Sequence, residues 1–229
     1  MNPRYERNIP ALTEAECDIL RGKRVLVVGC GGLGGHLIDM LARIGIGSLR
    51  VVDGDVFEPT NLNRQLLSEV PLLGVNKAKA AAAKVSRVNP EVRVEAVDSF
   101  LTEANVRGLL LFCDAVLDGL DNIESRRILA KECARAGIPY IYGAVNGWVA
   151  QAAVSMPGDH LVETLYPKGA ALKNKSVLSF TPALCASMQV SLCVKLLVGR
   201  PVETGTLYYF DLLNQEFETI PMILSLIHI

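Results

Sequence analysis

The segment that most constrains the fold runs from Val25 to Gly34, Val-Leu-Val-Val-Gly-Cys-Gly-Gly-Leu-Gly. A short apolar run ends in Gly29-x-Gly31-x-x-Gly34, after which Leu33, Leu37, Met40, Leu41 and Ile44 recur at helical spacing. Strand, glycine turn and helix in that order is the context that gives this spacing a physical meaning. The first glycine permits a tight turn, the second lets backbone approach a phosphate, and the third lets the helix pack closely on the strand. The helix start then offers unpaired N–H groups and the positive end of its dipole to an anion. Asp53 closes the next apolar run, Leu49 to Val52, about twenty residues on, where an acidic side chain takes ribose hydroxyls. A purely structural glycine turn is the competing explanation, and the strand and helix around it favour a nucleotide.

Strand and helix patterns keep alternating along the chain. A Thr13-x-x-Glu16 capping box starts a short helix ahead of the first strand, Val25–Val28. Ser48–Val52 is the second strand, Lys77–Val88 an alanine-rich helix stopped by Asn89-Pro90, and Val92–Val97 the third strand. A helix from Thr102 toward Leu111 leads to a short buried strand, Ala115–Leu117, which ends in Asp118-Gly119-Leu120-Asp121-Asn122. Ser125–Ala136 is a helix stopped by Gly137. Strands follow at Ile138–Ala144 and Val149–Ser155, then a long apolar helix at Pro182–Val198. Thr206–Asp211 and Glu216–Ile220 pair as a hairpin. Gly54–Asn76 and Pro157–Leu172 carry no clear period, and a polar loop as long as the first is usually functional. The pattern predicts one α/β domain over residues 1–223 with an N-terminal helical arm. Its sheet is Rossmann-like and mostly parallel, with helices on both faces, extended by C-terminal antiparallel strands.

Half of the 229 residues are hydrophobic, enough for a sizeable core, and the net charge of −1 gives no footprint for nucleic acid or a membrane surface. The six cysteines form no C-x-x-C pair, so no cysteine-based zinc site is expected. Scattered through apolar segments, they read as buried free thiols in a reducing cytosol. No signal peptide opens the chain and no apolar run reads as long enough to span a bilayer, so a cytoplasmic protein is expected. His36, His160 and His228 share no metal-ligand spacing. The last residues, Leu224 to Ile229, read like a translated sequencing adapter and are expected to be non-native.

Several separate pieces then coincide: the glycine turn, Asp53-Gly54-Asp55, Asn61-Leu62-Asn63-Arg64-Gln65, Lys77, Asp118-x-x-Asp121-Asn122 and the N-terminal Tyr5-x-Arg7. Together they resemble the ThiF/MoeB/HesA family, relatives of the ubiquitin-activating enzymes, over nearly the whole chain. The resemblance implies ATP-dependent adenylation of the C-terminal glycine of a small ubiquitin-like sulfur carrier. It implies that Gly29, Gly31, Gly32 and Gly34 lie at the nucleotide, with Gly32 at the phosphates and Asp53 on the ribose. Asn61, Arg64 and Lys77 would act on the triphosphate, with Gln65 in the same binding set. Asp121 would hold Mg²⁺ with Asn122 beside it, and Arg7 would reach the ATP of a neighbouring subunit, which implies a homodimer.

The chemistry agrees with these residue types. A terminal carboxylate, with a pKa of roughly 3.5, is already ionised at neutral pH, so its attack on the α-phosphorus needs no general base. It needs in-line positioning and neutralisation of crowded negative charge, which arginine, lysine and a metal-binding carboxylate supply. Two departures from the family stand out. The C-x-x-C pairs that hold zinc in many members are missing, and Gly169–Ser176, where a reactive cysteine would fall, contains none. Adenylation is therefore expected without persulfide or thioester chemistry.

Three other functions compete. Activation of a modified tRNA nucleoside keeps the adenylation site but sits poorly with the neutral charge. An NAD-dependent oxidoreductase explains the glycines and Asp53 but not Arg64, Lys77 and Asp121. A non-catalytic nucleotide-binding subunit is argued against by the presence of both Arg64 and Asp121. Three side chains stay open between two roles. Asp118 is functional or a turn cap, Cys30 is reactive or simply small enough to fit, and Trp148 lines a groove or packs.

Overall fold

The first strand of the sheet, β1 (Arg24–Val28), is apolar from Val25 onward because both of its faces are covered. In the computed structural model, which describes residues 2–171 and 176–222, Val25 and Val27 join one core while Leu26 and Val28 join another. The adapter-like tail lies outside the described residues. Seven further strands complete the sheet: β2 (Ser48–Val52), β3 (Arg93–Val97), β4 (Ala115–Asp118), β5 (Tyr140–Asn146), β6 (Val149–Ser155), β7 (Thr206–Asp211) and β8 (Glu216–Pro221). Their order is β3-β2-β1-β4-β5-β6-β7-β8. Pairing is parallel from β3 to β5 and antiparallel from β5 to β8, the mostly parallel sheet with an antiparallel extension that the sequence predicts.

The helices divide between the two faces. On one side pack α1 (Glu14–Arg21), α2 (Gly32–Ile44), α3 (Lys77–Val88) and α7 (Phe180–Leu197), through residues such as Leu20, Leu37, Leu41, Ala81 and Val190. On the other pack α4 (Val106–Leu110), α5 (Ile123–Ala136) and α6 (Leu161–Leu165), through Leu109, Leu129, Cys133 and Val162. Thr13 and Glu16 form the capping box expected of them at the start of α1.

Local differences from the sequence reading have physical causes. α4 starts at Val106 rather than Thr102, because Thr102 and Asn105 exchange side-chain to backbone bonds and hold the intervening residues in a turn. α6 lies inside the segment expected to be irregular, too short to declare a helical period. α7 meets the length and hydropathy of a membrane span, which the sequence reading had denied to every apolar run. It is nonetheless a core helix here, with 56% of that stretch buried against α2 and the sheet.

Candidate active site

The carboxyl ends of β1, β2 and β4 share one edge of the sheet. From β1 the chain moves out to β2 and β3 on one side, then returns to β4 on the other. An open α/β sheet binds ligands in the crevice above such a switch point. A cavity of about 310 Å³ lies there, lined by the turn after β1, the residues after β2 and β3, and the loop from β4 into α5.

The glycines of the β1 turn divide into two kinds. Gly29 has φ +91°, and a Cβ on it would sit 2.5 Å from the Gly119 carbonyl oxygen after β4; a Cβ on Gly34 would run into the Gly29 carbonyl. These two let backbone meet backbone. Gly31 and Gly32 are not required in that way, since their nearest neighbours are side-chain atoms of Gln65, Arg64 and Pro182 at 3.5 Å or more. Both line the cavity. α2 begins here with Gly31 as its cap, no side-chain cap bond and no acidic residue in the first turn. Its first N–H groups therefore lack an intrahelical partner and a side-chain cap, the arrangement that receives an anion.

Asp53, just beyond β2, turns back toward this loop. Its Oδ2 accepts from the Cys30 amide at 2.7 Å and its Oδ1 from the Asp55 amide at 2.9 Å. Burial pushes its carboxyl pKa up, against the pull of those two amides and of Lys77. Each carboxylate oxygen has a second lone pair, so the group retains capacity for ribose hydroxyls. The Cys30 thiol is fully buried and its pKa is driven well up by desolvation, so it serves as a small side chain in the turn rather than as a nucleophile.

Lys77 opens α3 with a side chain 7% exposed, its Nζ 2.8 Å from the exposed Asp55 carboxylate. A cation at a helix N-terminus opposes the dipole, so the position costs stability unless an anion meets it. The cap residue, Asn76, ties the site together by donating to the Asp53 and Asp55 carbonyls and to Asp98. Arg64 comes from the long polar stretch, which folds into short 3-10 turns at Pro59–Asn61 and Val70–Leu72. Its Nη1 donates to Thr60 O at 2.9 Å and to Asn63 Oδ1 at 2.8 Å, and its Cγ lies 3.6 Å from where a Cβ on Gly32 would stand. Gln65 lines the cavity too, and its buried Oε1 has no protein partner.

Asp121, at the start of the loop into α5, is exposed at the cavity wall. Asn122 beside it caps α5 by accepting from the Ser125 amide at 2.9 Å. Among the described residues no cluster of three or more His, Cys, Asp or Glu is arranged to hold a metal.

Three residues of the sequence-derived set do not line this cavity: Gly34, which lets α2 pack on the Gly29 carbonyl, Asn61 and Arg7. Asn61 is buried in its own 3-10 turn, where Oδ1 accepts from the Glu58 amide at 3.0 Å, and it is not among the lining residues. Arg7 lies with the N-terminal arm at the far edge of the sheet. Tyr5 is buried against Gly45 at the end of α2 and bonds Asn89 and Glu91 just past α3. The ends of those helices stand where the parallel strands begin, opposite the cavity, so Arg7 is remote from its own chain's site. Trp148 also falls outside the lining and packs on Phe180 at 5.0 Å between ring centroids.

Arg126 escaped the sequence reading. It is 3% exposed, lines the cavity from the first turns of α5, and pairs with Asp118, which is wholly buried, at 3.5 Å. It donates to the Leu120 carbonyl and lies over the Tyr142 ring at 5.1 Å and the Tyr166 ring at 5.9 Å. Burial opposes its charge, but Asp118 prevails and raises its pKa above the usual arginine range. Asp118 also accepts from the Leu120 amide and the Tyr140 hydroxyl; burial pushes its carboxyl pKa up while Arg126 pulls it down. Asp118 is thus the buried anchor of the loop that carries Asp121. One signal was available in the sequence: Arg126 sits near the N-terminal end of a helix, where a cation is unfavourable without a specific partner.

A glycine turn opening a helix, with a largely buried acid and two cations around one crevice, has the architecture of a nucleotide-binding α/β enzyme. The ThiF family model matches residues 5–225, and the chain belongs to that family of ubiquitin-activating-enzyme-like nucleotidyltransferases. The SAMP-activating enzyme E1 of Haloferax volcanii is 35% identical over 210 residues, 88% of this chain and 77% of that one. The probable adenylyltransferase/sulfurtransferase MoeZ of Mycobacterium tuberculosis is 32% identical over 231 residues, 95% of this chain but only 59% of its own length. The sulfur carrier protein adenylyltransferase of Thermus thermophilus is 31% identical over 95% of this chain and 86% of that one. Among solved structures, E. coli MccB with ATP superposes with a TM-score of 0.82 at 23% identity, over 99% of this chain and 73% of MccB. E. coli tRNA N6-threonylcarbamoyladenosine dehydratase, TcdA, does so with a TM-score of 0.74 at 24% identity, over 86% and 94%. At those identities the likeness is one of fold.

Proposed function

We propose that this chain adenylates the C-terminal glycine carboxylate of a small ubiquitin-like sulfur carrier, using ATP and Mg²⁺. The observation that carries the reading is one crevice lined by an open helix N-terminus, Asp53, Arg64, Lys77 and Asp121. The carrier's carboxylate oxygen attacks the α-phosphorus, an acyl–O–P bond forms, the bond between the α-phosphorus and its bridging oxygen breaks, and pyrophosphate leaves. The α2 amides and Arg64 bind phosphate oxygens, and Asp53 orients the ribose. Lys77 exchanges its Asp55 partner for phosphate, trading one charge-assisted contact for another. Mg²⁺ held by Asp121 would offset the charge that builds on the departing pyrophosphate.

Homologous enzymes named for SAMP, sulfur carriers and the ThiS carrier support the substrate class. The burial of all six cysteines favours adenylation as the whole of this chain's chemistry, since a thioester would need an accessible thiolate. No zinc enters the proposal, and the reduced thiols fit a cytoplasmic setting. The proposed partners are a second copy of the chain as well as the carrier: an exposed Arg7 remote from its own cavity is free to reach another subunit's site. Radioactive pyrophosphate–ATP exchange, measured with candidate carriers of the molybdopterin and thiamine type, tests the reading. Carrier-dependent exchange is expected, and none with any carrier would count against it.

A further inference from the structure

Phe100 is 64% exposed, an uncommon state for a phenylalanine, and yet its position is fixed from three sides. Behind it, Leu101 is buried in the core between the sheet and α4. The Phe100 carbonyl accepts from Asn105 Nδ2 at 2.8 Å, and Asn105 is itself locked to Thr102 by a pair of side-chain to backbone bonds. Beneath it lies Gly54, where a Cβ would come within 2.8 Å of the Phe100 ring and of its amide nitrogen. Only a residue without a side chain lets the ring settle there, directly after Asp53. The backbone from Ser99 to Thr102 thus holds one aromatic face out of the core at the mouth of the cavity, whose lining includes it.

The direction of the nucleotide follows from the site itself. Phosphates belong at the α2 N-terminus and the ribose at Asp53, so a bound nucleotide points from β1 across the end of β2 toward β3. Gly54, Ser99, Phe100 and Leu101, after β2 and β3, line the cavity along that direction, and Gly31, Gly32 and Arg64 line it beside the α2 N-terminus. We propose that Phe100 is the stacking face for the nucleobase of ATP, a binding residue that sets how tightly the base, rather than the polyphosphate, is held. The inference rests on the adenylation reading and assigns a residue to the base, which the motifs of the sequence leave without a partner. Base–aromatic stacking removed by alanine substitution weakens binding by about 5- to 150-fold.

The test compares two ligands by calorimetry on the full chain: ATP, and inorganic tripolyphosphate, which has charge but no base. Phe100→Ala should raise the Kd for ATP by about tenfold and leave the Kd for tripolyphosphate unchanged. In a Trp148→Phe background, Phe100→Trp should regain tight ATP binding, and ATP but not tripolyphosphate should quench the new tryptophan's fluorescence. ATP affinity unaltered in Phe100→Ala would overturn the proposal. So would an equal loss for both ligands, which would mark a general distortion of the cavity. A wild-type chain that binds tripolyphosphate but not ATP would overturn the adenylation reading and this proposal with it. Intact wild-type ATP binding with an indifferent Phe100→Ala overturns this proposal alone.

Discussion

Arg126→Met isolates what the buried cation does. The substitution keeps a long flexible side chain in the space but removes the charge facing Asp118, which is 0% exposed. A buried ion pair broken on one side costs about 3–5 kcal/mol, because the remaining charge has lost its compensation. For a chain of this length 1 kcal/mol moves the melting midpoint by about 2–4 °C, so a fall of roughly 6–20 °C is expected at fixed protein concentration. The pH dependence supplies the diagnostic. Burial already raises the Asp118 carboxyl pKa in the wild type, and losing Arg126 raises it further. A group whose folded pKa lies above its unfolded value, about 3.9 for aspartate, stabilises fully below that value and loses the contribution as pH climbs through the folded pKa. The deficit of the variant should therefore be smallest near pH 4 and widen toward neutrality, where it levels off. Adding Asp118→Asn should recover part of the loss at neutral pH and flatten the profile. Urea denaturation followed by circular dichroism across that range measures it. A deficit below about 1 kcal/mol, or one that stays constant with pH, would refute the account of Arg126 as the compensating charge for Asp118.

Two further outcomes concern subunits and thiols. Arg7→Ala and Asp121→Ala chains should each fold normally and lack pyrophosphate exchange, and mixing them after subunit exchange should restore part of it, because one site in a mixed dimer carries both residues. No recovery despite demonstrated exchange would remove Arg7 from the partner's site. All six cysteines are buried, and burial lifts the Cys185 and Cys193 thiols to about 12. A thiol reagent should thus label the native protein slowly at neutral pH and all of the cysteines at once after unfolding, with fast labelling of a native cysteine as the contrary result.

How much of this was legible in the sequence depended on the range of the interaction. The strands and long helices could be read because their patterns are local: a β1 apolar from Val25 to Val28 and covered on both faces, and Thr13 and Glu16 capping α1 across one turn. The cavity residues Gly31, Gly32, Asp53, Arg64, Gln65, Lys77, Asp121 and Asn122 are spread over five segments, yet all but Arg64 and Gln65 sit at or next to a strand or helix terminus, and topology carries those termini to one edge. Asn61 shows the limit. A motif can include a residue whose side chain serves the turn that presents its neighbours. Arg126 shows another, since its partners Asp118, Tyr142 and Tyr166 meet it only through tertiary packing and no spacing rule encodes them. The distance of Arg7 from its own cavity became visible only once Tyr5 was seen anchored at the ends of α2 and α3.

The central claim is that a terminal carboxylate oxygen of the carrier becomes bonded to the α-phosphorus of ATP. Labelling both oxygens of that carboxylate with ¹⁸O and intercepting the product with an amine nucleophile tests this directly. Attack of the amine on the acyl carbon expels AMP, which takes the bridging oxygen with it. The account predicts AMP carrying one ¹⁸O by mass spectrometry. AMP without label, alongside a carrier that keeps both labelled oxygens, would contradict it.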